Sequence, residues 1–278
     1  MGVRVAATLL CVLALAAHGP VSQALRLGSG RRASALRMSA KAPAGAPKDV
    51  AVVLLAGGVG SRMKADRPKQ FLTLAGKPVL EHTIELFRGI EGVSQIVLVL
   101  DEQYRGEWKK FAAADERFVF ADPGKERQDS VENGLSKVVD GASLVAVHDA
   151  ARPLVTPAEI YNVLMDGVEH GAAVLGVPMK ATVKESEDGE FVLRTIPRSR
   201  LWEIQTPQVI RPALLREGFR KVKELGLEVT DDVSIVEQIG EPVKITVGEY
   251  TNIKLTTPED MQIAESILRE REDEKVSA

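Results

Sequence analysis

The chain has 278 residues with 36 basic and 39 acidic side chains, a formal net charge of −3. The balance is uneven: residues 1–48 hold seven of the basic groups and no Asp or Glu, so the remainder carries 29 basic against 39 acidic groups, a net charge of −10. An acidic body excludes a non-specific nucleic-acid binder, which needs a basic surface to neutralise phosphates. The one cysteine, Cys11, leaves the chain beyond residue 48 without disulfide, thiolate metal site or cysteine nucleophile.

In chain order, "VAATLLCVLALAA" (Val5 to Ala17) comes first, an apolar run shorter than the roughly 20 residues that span a bilayer. A basic start, this short apolar core and small residues near Ser22 and Ala24 fit a signal peptide. The following stretch is rich in Arg, Ser and Ala and lacks acids, which fits an organelle transit peptide. In series the two resemble the bipartite presequences of nucleus-encoded proteins sent to complex plastids. They imply a stromal, membrane-free mature form; a disordered basic tail or a membrane anchor is the alternative. The fold is therefore read from residues 49–278, with 1–48 set aside as presequence.

Apolar runs of strand length then recur: "VAVVLLA" (50–56), "QIVLVL" (95–100), "RFVFA" (117–121), "SLVAVHD" (143–149), "AAVLGVP" (172–178) and "VKITV" (243–247). They are Val-rich and do not alternate, as central strands covered on both faces require. Between them lie helical patterns, "PVLEHTIELFRGI", "RQDSVENGLSKVV", "PAEIYNVLMDGV", "PALLREGFRKVKELG" and the terminal "PEDMQIAESILRERE", several opening on Pro or closing near Gly. Alternating strands and helices predict an α/β fold, a Rossmann-like, mostly parallel sheet flanked by helices, with ligands at the carboxyl ends of strands. One segment interrupts it. "ATVKESEDGEFVLRTIPR" (181–198) sets two strand-like runs around Asp188-Gly189, a hairpin signal. An inserted hairpin serves either as an arm that packs on another subunit or as a solvated surface feature.

The stretch "LLAGGVGSRMKADRPKQF" (54–71) places three glycines and then concentrated cations behind the first strand. A dinucleotide fingerprint needs a third glycine where Met63 stands, and no G-x-x-x-x-G-K-[ST] string occurs. Two readings stay open: a backbone cradle whose amides wrap a triphosphate, with Arg62 and Lys69 neutralising it, or a tight turn with solvated charges. In an acidic body, a local cluster must hold any anionic ligand.

The longer string "LLAGGVGSRM…RPKQFLTLAGKPVLEH" resembles the nucleotidyltransferase signature. "GKERQDSVENGL" (124–135), "VHDAARPLV" (147–155), "LWEIQTPQ" (201–208), "VTDDVSIVEQIG" (229–240) and the closing "YTNIKLTTPEDMQIAE" occur in the order and spacing of the 2-C-methyl-D-erythritol 4-phosphate cytidylyltransferases. The resemblance covers residues 50 to about 270. It implies a homodimeric enzyme of non-mevalonate isoprenoid synthesis in the plastid. CTP and methylerythritol phosphate would give CDP-methylerythritol and pyrophosphate, by in-line attack of the substrate phosphate on the α-phosphorus.

The resemblance also implies roles. Arg62 and Lys69 would contact the triphosphate, and Ala56, Gly57 and Gly58 would supply backbone contacts to CTP. Gly124, Arg127, Asp129 and Ser130 would read cytosine and ribose, although a Ser near a helix start also serves as a cap. Asp149 would bind magnesium, or manganese with similar oxygen ligands, beside Arg152 near the substrate. Lys254 and Arg198 would hold the methylerythritol phosphate, Arg198 reaching it from the arm of a partner subunit. Thr230 and Asp231 would bond the polyol hydroxyls, while Thr230 also suits a helix N-cap. Thr206 and Gln208 would support the pocket, with His148 structural and Lys64 and Arg67 surface charges. Many bacterial relatives carry an acid before Asn-Ile-Lys; this chain has Thr251, so a second protein carboxylate on the metal is in doubt. Rival readings are a cytidylyltransferase for another polyol phosphate, such as ribitol 5-phosphate, and a catalytically silent nucleotide-binding subunit.

Overall fold

A computed structural model describes residues 41–277 apart from Val59, Gly60, Lys64 and Glu228. Residues 1–40 of the expected presequence, and Lys64, lie outside the described residues. Residues 41–48 lie against the body: Ala42 and Ala46 pack on the core, and the Ala42 amide donates to Glu91 Oε2 at 3.4 Å.

The chain runs β1 (Val50–Leu55), the two-residue strands β2 (Thr73–Leu74) and β3 (Lys77–Pro78), α1 (Val79–Gly89), β4 (Val93–Val99), α2 (Lys109–Ala114), β5 (Phe118–Ala121) and α3 (Arg127–Leu135). There follow β6 (Leu144–Asp149), α4 (Pro157–His170), β7 (Ala172–Pro178), β8 (Val183–Glu185), β9 (Arg194–Ile196), β10 (Trp202–Ile210), α5 (Pro212–Leu225), α6 (Asp232–Glu237), β11 (Lys244–Val247) and α7 (Pro258–Ser277). Seven strands form one sheet in the order β11-β7-β10-β6-β1-β4-β5. All its pairs are parallel except those of β10, which runs antiparallel to both β6 and β7. The sheet is thus mostly parallel, as expected, with one inverted strand the apolar pattern does not announce. The reason is visible in β10: Gln205, Thr206 and Gln208 are buried polar residues that bond to the site loops, so no Val-rich run marks it.

Successive side chains of a strand face opposite ways. Val50, Val52 and Leu54 join Leu80, Ile84 and Phe87 of α1 and Ile160 and Leu164 of α4 in one core cluster. Ala51, Val53, Val97 and Val145 join Val131 of α3, Leu215 and Phe219 of α5 and Val233 of α6 in another. Both faces are covered, so the strands need apolar residues at every position. At about 1.5–3 kcal/mol per fully buried large side chain, Leu80, Ile84 and Phe87 alone hold α1 with roughly 5–9 kcal/mol. A third, smaller cluster of Leu74, Val79, Leu154, Leu255 and Ala264 seats α7 against β2, the start of α1 and the loops after β6 and β11. Those two loops carry candidate site residues.

In the inserted hairpin, Val183 pairs with Ile196 and Glu185 with Arg194, so the turn spans residues 186–193 and is longer than Asp188-Gly189 suggests. Asp188 Oδ1 accepts the amides of Glu190 and Phe191, while the Ser186 hydroxyl accepts from Gly189 N and donates to Phe191 O. These side-chain bonds replace ladder bonds and widen the loop. Its tip leaves Phe191, Val192 and Leu193 exposed.

Candidate active site

In the sheet order, β1 is continued by β4 and β5 on one side and by β6 on the other, which makes the β1–β6 boundary a switch point where an open α/β sheet forms its crevice. Leu55 stands opposite Asp149 in that ladder, so the glycine loop and Asp149 leave the sheet side by side. Gly57 has no room for a side chain, since a Cβ there would lie 2.6 Å from Pro123 Cβ, whereas Gly58 faces open space. The loop is held from below: Gln70 Nε2 donates to the Ala56 carbonyl at 2.5 Å.

The next residue back, Lys69, sends Nζ to the Leu255 carbonyl at 2.8 Å. Leu255 also donates its amide to Ala151 O at 2.8 Å, so one buried residue joins the loops after β1, β6 and β11. Burial first, and then the nearby Lys254 ammonium, push Lys69 from its ordinary 10.5 down to about 8; Arg62 and Arg152 add to that and Asp149 opposes it. Arg62 itself is exposed in the single helical turn Ser61–Met63. Arg67 pairs with Asp66 at 3.8 Å on the surface, as expected of a solvated charge.

Asp149, 7% exposed, is the centre of the cluster. One oxygen takes Lys254 Nζ at 2.7 Å and the other takes Arg127 NH2 at 3.4 Å. Burial pushes its carboxyl up, but Arg127 and Lys254 outweigh that and hold it below the usual carboxylate range. Its backbone is fixed as well. His148, wholly buried, lies 3.1 Å from the Arg152 carbonyl through Nε2 and 3.0 Å from Thr206 Oγ1 through Nδ1. A carbonyl only accepts, so Nε2 carries the proton and Nδ1 accepts from Thr206, whose oxygen accepts the Asp149 amide at 3.1 Å. Burial lowers His148 to about 4, which keeps this tautomer neutral. His148 and Thr206 thus fix the backbone at Asp149. Arg152 donates NH1 to Asn252 O at 2.7 Å, tying the turn after β6 to the segment that carries Lys254.

The loop before α3 is self-contained. A Cβ on Gly124 would fall 2.1 Å from Asp129 Cβ. Asp129 Oδ2 accepts the Glu126 amide, and Ser130 Oγ accepts from Gly124 N while donating to Glu126 O. The side chains of Asp129 and Ser130 therefore shape the loop, and the helix cap belongs to Glu126 and Asp129 instead of Ser130. Likewise Asp231, not Thr230, caps α6, accepting Ser234 N at 3.0 Å and Gln208 Nε2 at 3.1 Å. Thr230 is exposed beside it. Arg198 stands apart from the cluster: it is exposed and donates NH1 to Lys180 O at 2.9 Å at the base of the hairpin. Two participants escape the sequence reading. Asp232 grips Arg127 through both oxygens, and Gln70 holds the glycine loop. The second acid of Thr-Asp-Asp and the Gln next to Lys69 were the only signals.

Among the described residues no group of three His, Cys, Asp or Glu side chains is placed to hold a metal ion. Thr251 donates to Glu249 Oε2 at 3.0 Å and accepts from Arg271 NH2 at 3.1 Å. The donor set fits a hard cation only if phosphates and water complete it, with Asp149 as the protein's oxygen ligand.

A switch-point crevice lined by a glycine loop, clustered cations and the ionised Asp149 fits a nucleotidyltransferase. A sequence model of the family IspD, 2-C-methyl-D-erythritol 4-phosphate cytidylyltransferase, matches residues 50–270. The chain belongs to that family. The chloroplastic 2-C-methyl-D-erythritol 4-phosphate cytidylyltransferase of Oryza sativa subsp. japonica is 51% identical over 225 residues, 81% of this chain and 76% of that protein. The enzyme of the same name from Geobacillus thermodenitrificans is 44% identical over 225 residues, 79% of this chain and 96% of the other. The crystal structure of 4-diphosphocytidyl-2C-methyl-D-erythritol synthase from Anaerococcus prevotii superposes with a TM-score of 0.72 at 28% identity, covering 80% of this chain and 96% of that one.

Proposed function

We propose that the chain transfers CMP from CTP to 2-C-methyl-D-erythritol 4-phosphate and releases pyrophosphate, a step of isoprenoid synthesis. The observation that carries this reading is the pairing of Arg127 and Lys254 with Asp149 at the β1–β6 crevice, with the glycine loop leaving the sheet beside Asp149 and Lys69 within reach of its charge. A phosphate monoester is already an anionic nucleophile, so no general base is needed. Its oxygen bonds to the α-phosphorus as the bond to pyrophosphate breaks. The work left to the protein is to bring two anions together and stabilise the charge that builds up.

Lys69 Nζ bonds a carbonyl and Lys254 Nζ pairs with Asp149. Each exchanges that partner for phosphate, Lys69 and Arg62 on the triphosphate and Lys254 on the substrate phosphate. Fixed donors of this kind are worth roughly 3–4 kcal/mol each in the transition state. Ala56, Gly57 and Gly58 present backbone to CTP, and the loop built by Gly124, Asp129 and Ser130 frames the nucleoside beside Arg127. Arg152, Thr230 and Asp231 face the polyol. Asp149 would hold magnesium, which bound there neutralises phosphate charge.

The hairpin is read as a dimer arm, and two features support this: its exposed apolar tip and the exposed Arg198, which bonds to Lys180 O at the hairpin base. Arg198 then completes the partner's site. Residues 1–48 are read as a plastid presequence, a reading supported by the chloroplastic relative. The catalytic domain then covers 49–278 with its arm at 181–198. The test of the reaction is pyrophosphate release from CTP with methylerythritol phosphate and, separately, with ribitol 5-phosphate. Turnover of the second alone overturns the substrate, and turnover of neither overturns the enzyme.

A further inference from the structure

Asp232 has no part in the roles set out above, yet it is a carboxylate only 1% exposed at the edge of the site. Both its oxygens take Arg127, NH1 at 2.7 Å and NH2 at 2.8 Å, the forked pairing that fixes a guanidinium in one plane. Burying such a pair is costly, and an apolar pair of similar size holds two helices together as well or better. Cohesion between α3 and α6 is therefore a weak reason for it. Arg127 NH2 also reaches Asp149 Oδ1, whose partner oxygen takes Lys254. Charges alternate along one chain: Asp232, Arg127, Asp149, Lys254. That chain is fastened to the sheet, because Gln208 Oε1 in β10 accepts the amides of Asp232 and Val233, each at 2.9 Å.

We propose that Asp232 is a positioning residue for the transfer reaction: by gripping both ends of the Arg127 guanidinium it aims that side chain at Asp149 without letting it collapse onto it. With Asp232 neutral, the acid left within reach of Arg127 is Asp149. The guanidinium then swings fully onto Asp149, displaces Lys254, and withdraws Arg127 from the nucleotide loop. The inference rests on the reaction assigned above.

The experiment is steady-state kinetics with CTP and methylerythritol phosphate on the full chain, its Asp232→Asn and Arg127→Met variants, and the double variant. Asp232→Asn is expected to lower kcat at least about fivefold, while adding it to Arg127→Met changes kcat by less than about threefold, because Asp232 acts only through Arg127. A purely structural role moves melting temperature but does not produce this masking. A smaller loss in the single variant overturns the proposal, as does a further loss beyond that limit in the double. Where Asp232→Asn alone fails to fold, the comparison of Arg127→Met with the charge-free double decides. A silent wild type sinks the assigned reaction and the proposal with it; an active wild type with either contrary result sinks the proposal alone.

Discussion

Replacing Lys69 by arginine separates the need for a cation at that point from the ease with which the native one loses its proton. Lys69 sits beneath the glycine loop, partly buried and surrounded by Lys254, Arg62 and Arg152, and those forces bring it from 10.5 to about 8 in the free chain. If the protonated form is what receives the triphosphate, kcat/KM for CTP, which reports free-enzyme ionisations, falls tenfold per pH unit above that value. At pH 9.5, some 1.5 units higher, the loss is about thirtyfold. A bound triphosphate favours the ammonium and raises its proton affinity, so kcat at saturating CTP breaks at higher pH. Arginine stays charged throughout, so Lys69→Arg is expected to lose the break while keeping a reduced plateau. Pyrophosphate release measured from pH 7 to 9.5 at constant ionic strength is the assay. A flat wild-type profile, or the same break in Lys69→Arg, refutes the assignment of Lys69 as the titrating cation.

Arg198→Ala is expected to raise KM for the polyol phosphate with little effect on KM for CTP. Mixing it with Lys69→Ala subunits is expected to restore activity through sites built from one intact half of each, and mixtures that stay inactive count against a shared site. His148 titrates at about 4 in the fold against an ordinary 6.5, so the unfolded chain binds its proton first as pH drops. Its contribution is absent above about pH 6.5 and grows to a loss of about 3 kcal/mol by about pH 4, readable as a falling urea midpoint. A midpoint that does not move between pH 6.5 and 4.5 contradicts a buried neutral His148. Gly57→Ala sets a methyl 2.6 Å from Pro123 Cβ, which must push the cradle loop outward. The expected result is a rise in KM for CTP of about tenfold with an unchanged KM for the polyol phosphate, and equal changes in both speak against a nucleotide cradle.

Local chemistry was legible from the chain itself. Val-rich runs need burial on both sides, which is why six strands and five of the helices could be read, α1, α3, α4, α5 and α7. Pro157 marks the start of α4 in the sequence, and the structure adds a capping box between its neighbours Thr156 and Glu159. The glycine loop and the order of the motif strings pointed to the family in the same way. What tertiary structure decided are the pairings. Lys69 meets a carbonyl 186 positions away, and Arg127 meets an acid 105 positions away. A sequence shows that such groups exist but not which one will neutralise which, because that depends on who is buried beside whom. The inverted strand β10 escaped notice for the same reason: Gln205, Thr206 and Gln208 are tolerable in a sheet centre only once the loops that bond them are in place. And Arg198, alike in sequence to its fellow cations, is carried by the fold to the exposed base of the hairpin, which leaves Asp149 to Lys254 and Arg127.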